Sequence, residues 1–161
     1  MFLILDFTQS FRIAIVNNDQ TITKELKTKK NISEILILEI EKFLKKSKVN
    51  FKKIKSICVI TGPGSFTGIR SAITFAKSIK LTTKLDVFGV SKFEIINSKI
   101  KSNKYNQTKC ILLHFKDCQF FIQTFKNHKV VGQAKLINVY SKEFSFNNKT
   151  TYIYDNILFE E

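Results

Sequence analysis

The sequence predicts an α/β fold in which an antiparallel meander leads into alternating helices and strands. Three observations carry that prediction. Phe2–Leu5, Phe11–Val16 and Thr21–Leu26 are short β-prone runs separated by polar turns, the second turn being Asn17-Asn18-Asp19-Gln20. Apolar residues then recur at helical spacing through Ile32, Ile35, Leu36, Ile40, Phe43 and Leu44. After them Ile57-Cys58-Val59-Ile60, a continuous apolar run of the kind that forms a buried strand, breaks into a glycine-rich turn and reopens as a helical pattern.

The elements follow in order. Asn31 with Glu34 three residues later resembles a capping box, which starts the first helix, and Lys45-Lys46 close it. The strand Ile57–Ile60, a second helix from about Gly68 to Leu81, the strand Val87–Val90 and a short helix from Ser91 complete a β-β-β-α-β-α-β-α order. That is the order of the ribonuclease H-like half-domain found in actin-like ATPases and sugar kinases. Beyond a lysine- and asparagine-rich link, Lys99–Lys109, the runs Cys110–Phe115 and Gln119–Phe125 read as a hairpin, with Lys129–Lys135 a third strand and Thr151–Tyr154 the one later candidate. The expected organisation is an N-terminal lobe over residues 1–98 and a shortened, β-rich second lobe over 99–161. An unrelated β appendage is the alternative for the latter.

Composition bounds the function. With 161 residues and 43% hydrophobic content the chain can bury a core and forms one compact domain or two small lobes. The net charge of +14 suits an anionic partner, but Arg12 and Arg70 are the only arginines and the lysines are spread along the chain. Scattered charge raises nonspecific attraction without building a site. Cys58, Cys110 and Cys118 lack Cys-x-x-Cys spacing, which predicts reduced thiols and no zinc site. The opening Met1-Phe2-Leu3-Ile4-Leu5-Asp6 has no basic leader and too short an apolar run for a membrane span, so a cytoplasmic protein is expected.

The turn itself is Gly62-Pro63-Gly64-Ser65-Phe66-Thr67-Gly68-Ile69-Arg70. Its glycines allow a sharp turn and close backbone approach, Pro63 stiffens it, and Ser65 or Thr67 can cap the following helix. Orphan amides there suit an anion or a partner. Spacing excludes two phosphate motifs. A Walker A loop needs a lysine where Ile69-Arg70 follow Gly68, and a dinucleotide fingerprint needs its third glycine three residues after the second, whereas Gly68 lies four after Gly64. The loop therefore reads as a strand-to-helix elbow.

As a whole, this string closely resembles the signature of the TsaB (YeaZ) family. The resemblance extends from Phe2 to about Glu94, and Leu3-Ile4-Leu5-Asp6-Phe7-Thr8 is similar to the family's first strand and following Asp-Thr turn. Where the family has His-Ser-Glu at the start of its first long helix, this chain has Ile32-Ser33-Glu34. The resemblance implies a non-catalytic partner of TsaD in the bacterial machinery that places threonylcarbamoyl on the tRNA adenosine beside the anticodon. It also implies a TsaE-type ATPase and tRNA reached through the complex, a homodimer when alone, and neither cofactor nor metal.

Two helix faces are candidate contact surfaces. Ile37 and Leu38 lie outside the narrow apolar stripe of the first helix. On the second, Ile69, Ala72, Ile73, Ala76 and Ile79 form one stripe, whereas Ser71, Phe75 and Ser78 lie elsewhere and combine small residues with one aromatic anchor. The bland reading is that Ile37, Leu38 and Phe75 only widen the core. The resemblance implies that both helices pack against the equivalent pair in TsaD, and so puts Ile37, Leu38, Ser71, Phe75 and Ser78 in the interface.

Catalytic constellations are thin. Asp6 ends a strand, where actin-like ATPases hold a carboxylate for metal and phosphate, but an isolated Asp there is as readily a turn former. His114 and His128 lack metal-ligand spacing. Two other functions stand beside the scaffold reading: a small phosphotransferase using Asp6 with the Gly62–Gly64 loop, and an RNA-binding module driven by lysine excess, which lacks the aromatic-basic motifs of common RNA modules.

Overall fold

Strand β1 (Phe2–Asp6) is the hub of the first unit, Met1–Lys92, in a computed structural model that describes residues 1–28, 30–100, 108–141, 145 and 150–154. On one side it pairs antiparallel with β2 (Phe11–Val16), which pairs antiparallel with β3 (Thr21–Leu26). On the other it pairs parallel with β4 (Ser56–Ile60), which pairs parallel with β5 (Asp86–Val90). The sheet order is β3-β2-β1-β4-β5. Parallel neighbours need long crossovers, and helices α1 (Ile32–Lys46) and α2 (Phe66–Thr82) supply them. The expected meander and alternation are both present.

Alternation along the strands decides which face holds the core. Leu3, Leu5, Ile13, Ile15, Ile57 and Val59 are all within 2% of complete burial and share one cluster with Leu36, Ile40, Phe43 and Leu44 of α1 and Ala72, Phe75 and Ala76 of α2. Asn31 caps α1, its Oδ1 accepting from the Ser33 N–H at 3.3 Å. Ser65 caps α2, its Oγ accepting from the Gly68 N–H at 3.3 Å. Consequently α2 starts at Phe66, two residues before the start expected at Gly68.

The second unit, Phe93–Glu161, includes α3 (Lys92–Lys99) from Phe93 onward and the strands β6 (Thr108–Lys116), β7 (Gln119–Lys126), β8 (Lys129–Asn138) and β9 (Thr150–Tyr154). Residues 101–107 of the link expected over Lys99–Lys109 lie outside the described residues. β6, β7 and β8 form an antiparallel meander and β9 joins β6 in parallel, giving the order β8-β7-β6-β9. Phe93 packs with Ile111, Leu113 and Phe125 on one face, while Cys110, Leu112 and Phe120 form a second cluster. Among the described residues no helix is long and apolar enough to cross a membrane.

Candidate functional site: the glycine elbow and the groove between the first two helices

The elbow after β4 is folded tightly against the turn after β1. Gly62 has φ +107°, where a side chain is disfavoured, and its peptide bond to Pro63 is cis. A Cβ on Gly64 would collide with the Thr8 carbonyl oxygen and come to 2.6 Å from the Thr8 Cβ, and one on Gly68 would collide with the Phe7 carbonyl oxygen. Glycine is required at both places because another backbone lies where a side chain would go. The Ser65 N–H donates to the Thr8 carbonyl at 2.6 Å, and the Gly62 carbonyl accepts from the Lys92 N–H at 2.7 Å.

Asp6 serves the same turn. Its Oδ1 accepts from the Thr8 N–H at 3.1 Å and from the Thr8 hydroxyl at 2.6 Å, the geometry of a carboxylate holding its own backbone. Phe7 and Thr8 pack against the elbow at Gly68 and Gly64. His114 lies elsewhere, in β6, with Nε2 3.0 Å from the Asp117 carbonyl and its ring edge-on to Phe120. Burial pushes the Cys58 and Cys110 thiols above their ordinary range, and both are free.

By fixing the start of α2, the elbow sets which side chains its first turns present. Phe66, Thr67 and Arg70 point into a groove of about 450 Å³ between α1 and α2, completed by Ser33, Leu36 and Ile37 from α1 and by Ser71, Thr74, Phe75, Ser78 and Ile79 from α2. Phe66 is 71% exposed and lies under the Arg70 guanidinium, 4.9 Å from ring centre to Cζ. The α2 wall is a row of small hydroxyl residues at helical spacing, Thr67, Ser71, Thr74 and Ser78. The Ser71 hydroxyl donates to the Thr67 carbonyl and the Ser78 hydroxyl to the Thr74 carbonyl, each at 2.9 Å. With the Ser71 and Ser78 donors satisfied inside the helix, the wall is low in relief and another helix can approach closely without stranding those two hydroxyls.

Of the residues expected at an interface, Ile37, Ser71, Phe75 and Ser78 line the groove. Leu38 is 56% exposed but is not part of it. Phe75 corrects the expectation of an exposed aromatic. It is only 9% exposed and belongs to the core cluster, because the buried arc of α2 runs through Gly68, Ala72, Phe75 and Ala76. Thr74 and Ile79 were missed, although the repeat of small hydroxyl residues was visible in the sequence. Also unforeseen was the continuity of the signature with the groove through Phe66, Thr67 and Arg70.

An antiparallel meander continued by parallel strands, with two helices on one face and an elbow closed on its own first turn, defines a ribonuclease H-like, actin-like fold whose open feature is a helix-pair groove. Residues 16–140 match the family model described as TsaD, tRNA N6-adenosine threonylcarbamoyltransferase. Among the curated relatives that carry the name tRNA threonylcarbamoyladenosine biosynthesis protein TsaB are two from Buchnera aphidicola. The one from Buchnera aphidicola subsp. Acyrthosiphon pisum (strain APS) is 29% identical over 118 residues, covering 73% of this chain and 53% of the relative. The other, from Buchnera aphidicola subsp. Schizaphis graminum (strain Sg), is 38% identical over 60 residues, 37% of this chain and 29% of the relative. A solved structure, YeaZ from Pseudomonas aeruginosa, superposes with a TM-score of 0.62 at 15% identity, over 85% of this chain and 66% of that one. The chain belongs to the family that this model describes, and within it to the TsaB (YeaZ) type. It spans about half the length, 53%, of the first of these relatives.

Proposed function

We propose that this chain works in tRNA threonylcarbamoyladenosine biosynthesis as a scaffold. In this reading it docks the α1–α2 groove on the matching helix pair of a TsaD-type transferase and contributes no catalytic side chain. A TsaE-type ATPase and tRNA are reached through that complex, and a homodimer through the same face is the alternative state of the free protein. Residues 99–161 serve as a shortened second lobe. The groove is the observation that carries this reading: apolar Ile37 and Phe66 project beside a low wall of small hydroxyl residues, two of them, Ser71 and Ser78, bonded inside their own helix, a surface suited to a second helix pair. The names of the relatives agree with the pathway. Against a phosphotransferase stands the elbow, packed at Gly64 and Gly68 against the Thr8 and Phe7 backbone, with Asp6 engaged by Thr8.

The test is co-purification with the TsaD of the same organism, paired with an ATPase assay of the isolated chain. Capture by TsaD, lost when Ser71 is replaced by arginine to fill the groove, is the expected outcome. Failure of the wild-type chain to bind, or ATP turnover abolished by Asp6→Ala, would refute the scaffold reading.

A further inference from the structure

Part of the lysine excess comes together in the fold, at one end of the first unit. From Lys42 to Leu85 the chain holds ten lysines and Arg70 and no Asp or Glu. This stretch passes twice through one pole of the first unit. Phe2, Ser56 and Asp86 stand side by side at the starts of the parallel strands β1, β4 and β5, and the Lys55 N–H donates to the Met1 carbonyl at 2.9 Å. The loops entering β4 and β5 come from the C-terminal ends of α1 and α2, so both helices meet this pole end-on. The β2–β3 turn lies there too, since Val16 pairs with Phe2.

Charge at this pole exceeds what the helices need. Lys45 and Lys46 in the last turn of α1 and Lys80 in that of α2 complement the negative ends of the helix dipoles. Lys48, Lys52, Lys53, Lys55 and Lys84 lie past the helix ends, are all exposed, and form no ion pair among the described residues. Asp19 and Asp86 are the acids that share this end. Beside the lysines lies a depression of about 390 Å³ lined by Ile22, Thr23, Lys24, Phe43, Lys46, Ser47 and Lys48. The Lys24 Nζ is held by Glu39 at 2.8 Å, which leaves Lys46 and Lys48 as its free cations.

We propose that this pole is a contact surface for the phosphate backbone of RNA. Clustered, unpaired ammonium groups bind a polyanion by releasing its condensed counterions, and a phosphodiester strand can follow a concave surface. An anionic bilayer is the weaker match, because among the described residues α1 and α2 meet the pole end-on, no amphipathic helix lies along it, and its exposed large apolar side chains are Phe2 and Leu81. None of these lysines lines the α1–α2 groove, so a partner seated in the groove leaves the pole open. Taking the RNA to be the tRNA of the proposed modification rests on the reading above; the contact itself does not.

The experiment titrates the full chain against a fluorescent tRNA transcript and an unrelated hairpin RNA across a series of salt concentrations, with the melting temperature of each variant checked. The triple variant Lys48→Gln, Lys52→Gln, Lys53→Gln should lose roughly tenfold or more in affinity near 0.1 M salt and about 2 from the salt slope. A charge-matched control in the second unit, Lys126→Gln, Lys129→Gln, Lys135→Gln, should lose less than about threefold and keep the slope. Equal losses in both triples, or no binding by the wild type, would overturn the proposal, as would tighter binding to phosphatidylglycerol vesicles than to RNA that the pole triple alone removes. Capture by TsaD is measured alongside. The pole triple should retain it, whereas Ile37→Asp should lose capture and keep RNA binding, so the scaffold reading and the RNA contact fail independently.

Discussion

The two sheets share a plan and differ in what joins it together. Each has a meander, β3-β2-β1 or β8-β7-β6, with a parallel strand on the far side of its first strand. In the first unit residues 27–55 make the connection to that parallel strand and contain the 15-residue helix α1. In the second, residues 139–149 make it, too few for such a helix with two linkers. Burial follows suit. β1 alternates, with Leu3 and Leu5 at 0% and Phe2 at 47% exposure, whereas Cys110-Ile111-Leu112-Leu113 of β6 are buried in succession. The meander is thus the part of the plan common to both sheets, and the helical connection is what gives the first one its groove.

The largest effect should come from the place where the first unit is tightest. Gly64→Ala drives a methyl into Thr8, and at least about 3 kcal/mol of stability should be lost in urea melts. Gly132 in β8 has φ +71° but open space around its would-be Cβ, so Gly132→Ala should cost only about 1 kcal/mol. Equal costs would mean that close approach is not why the elbow needs glycine.

That elbow also shows what the sequence made legible. Strands Phe11–Val16 and Thr21–Leu26 were readable to the residue because apolar runs and polar turns mark them. Gly68 misled, since a glycine after a turn reads as the last breaker before a helix, yet it sits inside α2 to let the Phe7 carbonyl approach. Having no side chain, it also dropped out of the apolar stripe. The stripe was therefore centred off the true buried arc, and Phe75 was left outside. Local pattern carries strand and helix identity; the contact that rotates α2 joins residues some sixty positions apart and leaves no local mark.

Phe75 and Phe125 sharpen the comparison next. Both are core rings, 9% and 1% exposed, and truncation of either to alanine should cost about 3 kcal/mol of stability. Phe75 lines the groove as well, so Phe75→Ala at a temperature where it is still folded should also weaken TsaD capture, whereas Phe125→Ala should not. If Phe75→Ala leaves the melting temperature unchanged, its place in the core is wrong.

Surface apolar residues separate the units without touching stability. Ile37 and Val131 are 62% and 48% exposed, and aspartate at either should shift stability by less than about 0.5 kcal/mol. Ile37→Asp should nevertheless weaken TsaD binding by roughly 2 kcal/mol, because it puts a charge in the groove, and Val131→Asp should leave it intact. Leu38→Asp, outside the groove, should fall between them. Calorimetric titration against TsaD ranks the three, and a ranking led by Val131 would move the interface to the second unit.

The smallest effect is electrostatic and confined to the first unit. The Lys24 ammonium, bonded to Glu39 at 2.8 Å and reinforced by Lys42 at 3.0 Å, holds the Glu39 carboxyl below the usual carboxylate range. A pKa lowered on folding means that the unfolded chain binds the proton more readily. The pair's stabilisation is therefore complete above the ordinary glutamate pKa of 4.5 and fades as pH falls through the lower folded value. Lys24 on β3 and Glu39 on α1 tie the sheet to its helical connection. Glu39→Gln should cost about 0.5 kcal/mol at pH 7, since the pair is partly solvated, and progressively less as pH falls below 4.5 through the lower folded value. A constant difference between wild type and variant from pH 7 to pH 3 would assign the loss to packing of the side chain instead of its charge.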